Sequence, residues 1–136
     1  MSRYNNWTIY LFDISGKIAI VTGASQGIGR TIAKILSKSG AHVICIARTE
    51  NKIIDLVEEI RKDNGLADYI SCDVSDSDAF SNSVNTIIKD HGKIDILINN
   101  AGITRDALLM RMTEDQWEKV INTNLKGAFY GMKFVI

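Results

Sequence analysis

Apolar residues along this chain fall into two alternating rhythms. Runs rich in β-branched residues, KIAIVTG at 17–23, HVICIA at 42–47, DYISCDV at 68–74 and KIDILINN at 93–100, each read as a buried strand. Between them apolar positions recur at helical spacing: Ile28, Ile32, Ile35 and Leu36; then Ile53, Leu56, Val57 and Ile60; then Phe80, Val84, Ile87 and Ile88. Gly40 and Gly92 stand just past two of these stretches, where a left-handed residue readily closes a helix. Farther on, Thr113-Glu114-Asp115-Gln116 is a capping box that announces a long helix. The apolar stripe expected on that helix runs through Trp117, Val120, Ile121, Leu125, Ala128, Phe129, Met132 and Val135.

Strands alternating with helices specify repeated βαβ units, and right-handed crossovers turn such units into a parallel sheet. The expected fold class is α/β: a Rossmann-like, doubly wound, three-layer αβα arrangement, partial, with strand order 3-2-1-4. Near-continuous apolar strands agree, because helices cover both faces of a parallel sheet. Residues 12–136 are expected to form this domain and residues 1–11 an N-terminal extension. The crevice for a ligand should open between the first and fourth strands.

Composition narrows the choice of partners. A chain of 136 residues, 46% hydrophobic and 24% charged, suits one soluble globular domain. Sixteen basic and sixteen acidic residues cancel, leaving no net field to attract nucleic acid or an anionic membrane. The opening MSRYNNWTIYLFDISGK has neither the cations nor the apolar run of a targeting peptide, and nothing approaches the roughly 18–20 apolar residues of a membrane span. A cytoplasmic location is expected. Cys45 and Cys72 fall in strand-like runs and read as inert apolar thiols; His42 and His91 lie far apart without ligand-like neighbours, so no metal is expected.

The strongest chemical signal is Thr22-Gly23-Ala24-Ser25-Gln26-Gly27-Ile28-Gly29, directly after the first strand and opening the first helix. Glycines there let the backbone turn and approach a pyrophosphate, and the helix start offers free N–H groups and a positive dipole end. A structural glycine turn is the plain alternative, but the strand-to-helix context is the one a phosphate loop requires. At the end of the second strand, an acid would bond a ribose 2′-hydroxyl and an arginine would pair a 2′-phosphate. Ala47-Arg48 stands there, favouring NADP(H) unless Arg48 is merely solvated.

The Thr-Gly-x-x-x-Gly-x-Gly loop, together with Asn99-Asn100-Ala101-Gly102 after the fourth strand, resembles the short-chain dehydrogenase/reductase family. The likeness covers about residues 12–136. Within that family NNAGITRDALLMRM, residues 99–112, is similar to the 3-oxoacyl-acyl-carrier-protein reductases of bacterial fatty acid synthesis. The resemblance implies cofactor contacts from Gly23, Ala24, Ser25, Gln26, Gly27, Ile28 and Gly29, with Asp73 and Val74 against the adenine and Asn100, Ala101 and Gly102 beside the ribose. Asp73 is also placed to cap the next helix with Ser75 and Asp76.

Asn124 falls on the apolar stripe of the last helix and is expected to point inward and need partners. The resemblance makes it the catalytic-site asparagine of a Thr-Asn-Leu element, holding a water of the proton relay, while a purely structural asparagine is the alternative. It further implies a homotetramer reducing an acyl thioester carried on acyl carrier protein, with a catalytic serine and a Tyr-x-x-x-Lys pair. Tyr130 and Lys133 are three apart, not four, and are not assigned that role. Without the pair these 136 residues are expected to bind cofactor without turnover, the intact protein carrying the rest. The other readings are a non-catalytic dinucleotide-binding module and a short-chain dehydrogenase for another alcohol or ketone. Leu108, Leu109, Met110 and Met112 form an apolar patch without an assigned role.

Overall fold

β-branched residues fill the strands because both faces of the sheet are covered. The computed structural model describes residues 13–136; the 1–11 extension, and with it most of the opening segment read for targeting signals, lies outside them. Strand β1 (Ile18–Thr22) is buried at every position. It pairs in parallel with β2 (His42–Ala47), Ala19 opposite Val43, and with β4 (Ile96–Ile98), Ala19 opposite Ile96. β3 (Leu66–Ser71) pairs in parallel with β2, giving the order β3-β2-β1-β4. The Rossmann-like arrangement and its strand order are as expected from the sequence.

Period-two alternation sends the side chains of each strand into two cores. Val21, Val43 and Cys45 pack with Ala33 of α1 (Gly27–Lys38) and with Ile53, Leu56, Val57 and Ile60 of α2 (Glu50–Lys62). Ile20, Ile44 and Ile46 pack with Phe80, Val84 and Ile87 of α3 (Ser77–His91), and Tyr130 and Phe134 join them from α5 (Gly127–Val135). α4 (Glu114–Val120) starts on the expected capping box, Gln116 N–H donating to Thr113 Oγ1 at 3.2 Å and Thr113 N–H to Gln116 Oε1 at 2.9 Å. Gly40 and Gly92 have φ of +99° and +79°, as expected for residues closing helices.

Several boundaries differ from the pattern. β4 keeps only three residues. Ahead of it Asp95 leaves the apolar register to accept the Ile18 N–H at 2.8 Å, and behind it Asn99 and Asn100 turn to neighbouring backbone. β3 begins earlier and ends at Ser71, so Cys72, Asp73 and Val74 lie beyond it, and its edge position leaves Leu66 and Tyr69 exposed.

Two helical stripes also differ. In α1 Ile32 and Leu36 of the expected stripe pack against the core, but the most deeply buried residues are Gly29, Ala33 and Ser37, while Ile28 and Ile35 are exposed, because small residues let this helix lie close to the sheet. The last helix is not continuous: Ile121–Lys126 winds as a π-helix between α4 and α5. Wider winding shifts the helical phase of the turns beyond it. Gly127 and Gly131 are buried in place of the expected stripe, and Trp117, Leu125, Phe129 and Met132 are exposed. The two histidines, far apart in sequence, are neighbours in space. His42 and His91 stack edge to face, ring centroids 4.6 Å apart, beside Asp68, because α3 runs back along the sheet to the start of β2.

Candidate cofactor site

All four strands end at a cleft of about 420 Å³, within the about 300–1,000 Å³ of small-molecule sites. Of the residues expected at a cofactor site, Gly23, Ser25, Gln26, Gly27, Ile28, Arg48, Asp73, Val74, Asn100, Ala101 and Gly102 line it. Ala24 and Gly29 lie beneath that surface, Ala24 fully buried. Ala47 and Thr123, neighbours of Arg48 and Asn124, also line the cleft, as do Thr49, Cys72 and Ile103, which carried no sequence signal for it. Cys72 is therefore a cleft residue rather than a strand one.

The floor is built from hydrogen bonds between the ends of β1 and β4. Thr22 Oγ1 donates to Ile98 O at 3.2 Å and accepts the N–H groups of Asn100 and Ala101, each at 3.0 Å. Asn100 Nδ2 returns to Thr22 O at 3.1 Å and Gly23 O at 3.3 Å. This stitching leaves no room for side chains: a Cβ on Gly29 would lie 2.4 Å from both Asn100 Nδ2 and Gly23 O. On Gly23, at φ +67°, a Cβ would lie 2.8 Å from Ala101 Cα. Gly27, at φ +57°, is the converse, since a Cβ there would meet no protein atom within 4 Å and would project into open space at the cleft.

The start of α1 faces this space without a cap. Gln26 precedes the helix but makes no side-chain cap bond, its Oε1 accepting from Lys52 Nζ at 2.9 Å, and the first turn has no acid. By contrast, Asp76 caps α3 through the Ala79 N–H at 3.0 Å, and Thr113 caps α4. The first N–H groups of α1 thus remain donors to whatever occupies the cleft, at the positive end of the helix dipole. A diphosphate fits that donor set and the space beside Gly27.

Arg48 is more than half exposed on the rim, with NH1 3.9 Å from Asp73 Oδ2, a loose pair that leaves the guanidinium accessible. The other oxygen of Asp73 accepts from Ser75 N–H at 2.9 Å and Ser75 Oγ at 2.7 Å. Asp73 therefore shapes the turn before α3, while Asp76 is the helix cap. Cys72 donates weakly to Asp73 O at 3.5 Å, and burial pushes its thiol pKa up. Burial likewise pushes the Cys45 thiol up to about 12, so neither cysteine has the depressed pKa of a reactive thiolate.

Asn124 corrects the expectation of an inward-pointing residue. It sits on the π-helix and is exposed, yet its amide is engaged at both ends: Oδ1 accepts the Ile103 N–H at 2.8 Å and Nδ2 donates to Ile103 O at 3.0 Å. A Cβ on Gly102 would come within 3.4 Å of the same Oδ1. The bulged helix and the irregular segment that follows Asn99-Asn100-Ala101-Gly102 are clamped together by this one side chain. Tyr130, in contrast, stacks on Phe134 with centroids 5.9 Å apart in the α3-side core, away from the polar groups of the cleft.

An open parallel sheet with its ligand cleft at the carboxyl ends of the strands, where strand order reverses, defines a doubly wound nucleotide-binding type of α/β protein. The short-chain dehydrogenase family model matches residues 17–136, and the chain belongs to that family. It is 40% identical over 123 residues to the 3-oxoacyl-(acyl-carrier-protein) reductase FabG of Thermotoga maritima, covering 90% of this chain and 50% of the relative. To the protein of the same name from Vibrio harveyi it is 45% identical over 124 residues, covering 91% and 50%. A metagenomic short-chain oxidoreductase solved in complex with NADP superposes with a TM-score of 0.87 at 36% identity, over 90% of this chain and 56% of that one. The citronellol catabolism dehydrogenase of Pseudomonas aeruginosa PAO1 gives a TM-score of 0.87 at 34% identity, over 91% and 51%. The chain spans about half the length of the curated relatives it matches.

Proposed function

We propose that this chain is the NADP(H)-binding part of an oxidoreductase that reduces a 3-oxoacyl thioester, carried on acyl carrier protein, to the 3-hydroxyacyl product in fatty acid biosynthesis. The observation that carries the reading is the uncapped start of α1, set beside glycines that leave open space, in a chain 40–45% identical to reductases of that name. Bound in the cleft, the nicotinamide cofactor would supply the hydride for the carbonyl carbon.

The chain's own residues position that cofactor. The loop from Gly23 to Gly29 offers backbone N–H groups to the diphosphate. Arg48 pairs with the ribose 2′-phosphate, a geometry in which a guanidinium can donate two parallel hydrogen bonds. Asp73 and Val74 border the adenine, and Asn100, Ala101 and Gly102 let the second ribose lie against backbone. Asn124 keeps one N–H and one lone pair beyond its two bonds to Ile103, enough to hold a water of the proton relay while fixing the loop beside it. The assembly proposed for the intact protein is a cytoplasmic homotetramer. Among the described residues no helix is long and apolar enough to cross a membrane.

The test is a substrate survey with the protein that carries this chain in its natural reading frame. NADPH oxidation should depend on an acetoacetyl thioester. Oxidation driven only by sugar, steroid or other ketones would assign a different short-chain dehydrogenase activity, and cofactor binding with no turnover on any carbonyl would assign a binding module.

A further inference from the structure

At the end of the sheet opposite the cleft, side chains from three elements converge. His42 opens β2, Asp68 is the third residue of β3, and His91 is the last residue of α3. Register places Asp68 beside Ile44, whose side chain belongs to the α3-side core. Asp68 therefore faces the helix that delivers His91. One ligand-type atom from each residue lies within 4.8 Å of the other two: His42 Nε2 is 2.7 Å and His91 Nε2 3.8 Å from the same oxygen, Asp68 Oδ2. Both imidazoles are largely buried, about four-fifths of each side chain.

We propose that His42, Asp68 and His91 form a binding site for a divalent transition-metal ion of the zinc type, with water completing the coordination. Two imidazoles and a carboxylate are a donor set that such ions take readily. Metal–ligand bonds of about 2.0–2.2 Å place tetrahedral ligands about 3.4 Å apart, and the two contacts to Oδ2 bracket that spacing. The His42 hydrogen bond and the edge-to-face packing of the two rings gather the three donor atoms around one point, so that an ion can bind with only small shifts of the side chains.

The surroundings support a cation. His91 ends α3, where unpaired carbonyls put the negative end of the helix dipole. Asp68 is already oriented from outside: Arg61 NH2 donates to Oδ1 at 2.6 Å, and Arg61 Nε is fixed on Ala67 O at 2.9 Å. Outer hydrogen bonds of this kind orient metal-ligating carboxylates and leave the other oxygen for the ion. A bound ion would tie β2, β3 and α3 together on the side of the sheet remote from the cofactor cleft.

The full chain, stripped with a chelator and titrated with zinc chloride in a calorimeter, should take up one Zn²⁺ and melt at a higher temperature with the ion bound. His42 and His91 are the only histidines in the sequence, so His42→Gln and His91→Gln should each weaken binding at least about tenfold. Co²⁺ should give a visible spectrum without a thiolate charge-transfer band. The proposal fails if Zn²⁺ binding does not saturate, if both glutamine variants bind as tightly as the unaltered chain, or if cobalt reports cysteine ligation. Circular dichroism identifies any variant that does not fold. His91→Gln, at a helix end, decides the matter if the strand variant is lost.

Discussion

Single atoms set the tolerances at the cleft. Gly29 has backbone on one side and the Asn100 amide on the other, each 2.4 Å from where a Cβ would stand. Gly23 O cannot rotate away as a side chain can, so Gly29→Ala should destabilise the fold by about 1–3 kcal/mol, read as a lower denaturant midpoint, and should weaken dinucleotide binding with it. Asp95 offers a separate check. Its carboxylate accepts the Ile18 N–H and pairs with Lys93 and Lys17, which together hold its pKa down to about 2. An aspartate normally titrates near about 3.9, so its contribution is present above about pH 4 and lost as pH falls toward about 2. Asp95→Asn should flatten the fall of melting temperature across that interval; an unchanged acid limb would mean that the Ile18 contact contributes nothing.

At the scale of elements, the cores of α2 and α3 were legible because their apolar stripes match what is buried, from Ile53 to Ile60 and from Phe80 to Ile87, with Ile88 exposed beyond them. The Thr113 capping box was equally legible, and Thr113→Ala should cost about 0.5–2 kcal/mol, measured by urea unfolding. α1 and the last helix were misread for one reason. Their most deeply buried positions are glycine, alanine and serine, which carry little hydropathy signal, while Ile28, Ile35, Phe129 and Met132 face outward and Ile32, Leu36 and Val135 are only partly buried against the cores. The π-turn at Ile121–Lys126 compounded this, since no local residue pattern announces an extra residue per turn, and it carries Asn124 out to the Ile103 backbone instead of inward. Gly127 shows the same blind spot: a Cβ there would press to 2.8 Å from Val74 Cγ2, at the edge of the cleft.

For the whole molecule, what the sequence carried was the order of elements and hence the place of the cleft. Alternating strand and helix patterns specify a parallel α/β sheet, and its observed order β3-β2-β1-β4 brings residues as distant as Gly23, Arg48, Asp73 and Asn100 to one edge. Residues that reach the cleft only through loop geometry, such as Thr49, Cys72 and Ile103, have no motif to mark them. Neither did the meeting of His42 with His91, which depends on how far α3 runs back along the sheet. The central claim is that the bared amides of α1 take a diphosphate while Arg48 takes the additional charge of a 2′-phosphate. Calorimetric titration of the folded chain with NADPH and with NADH tests it directly. One saturable site at least about tenfold tighter for NADPH, a difference of about 1.4 kcal/mol, is the predicted result; equal affinity, a preference for NADH, or no binding by a chain shown to be folded would contradict it.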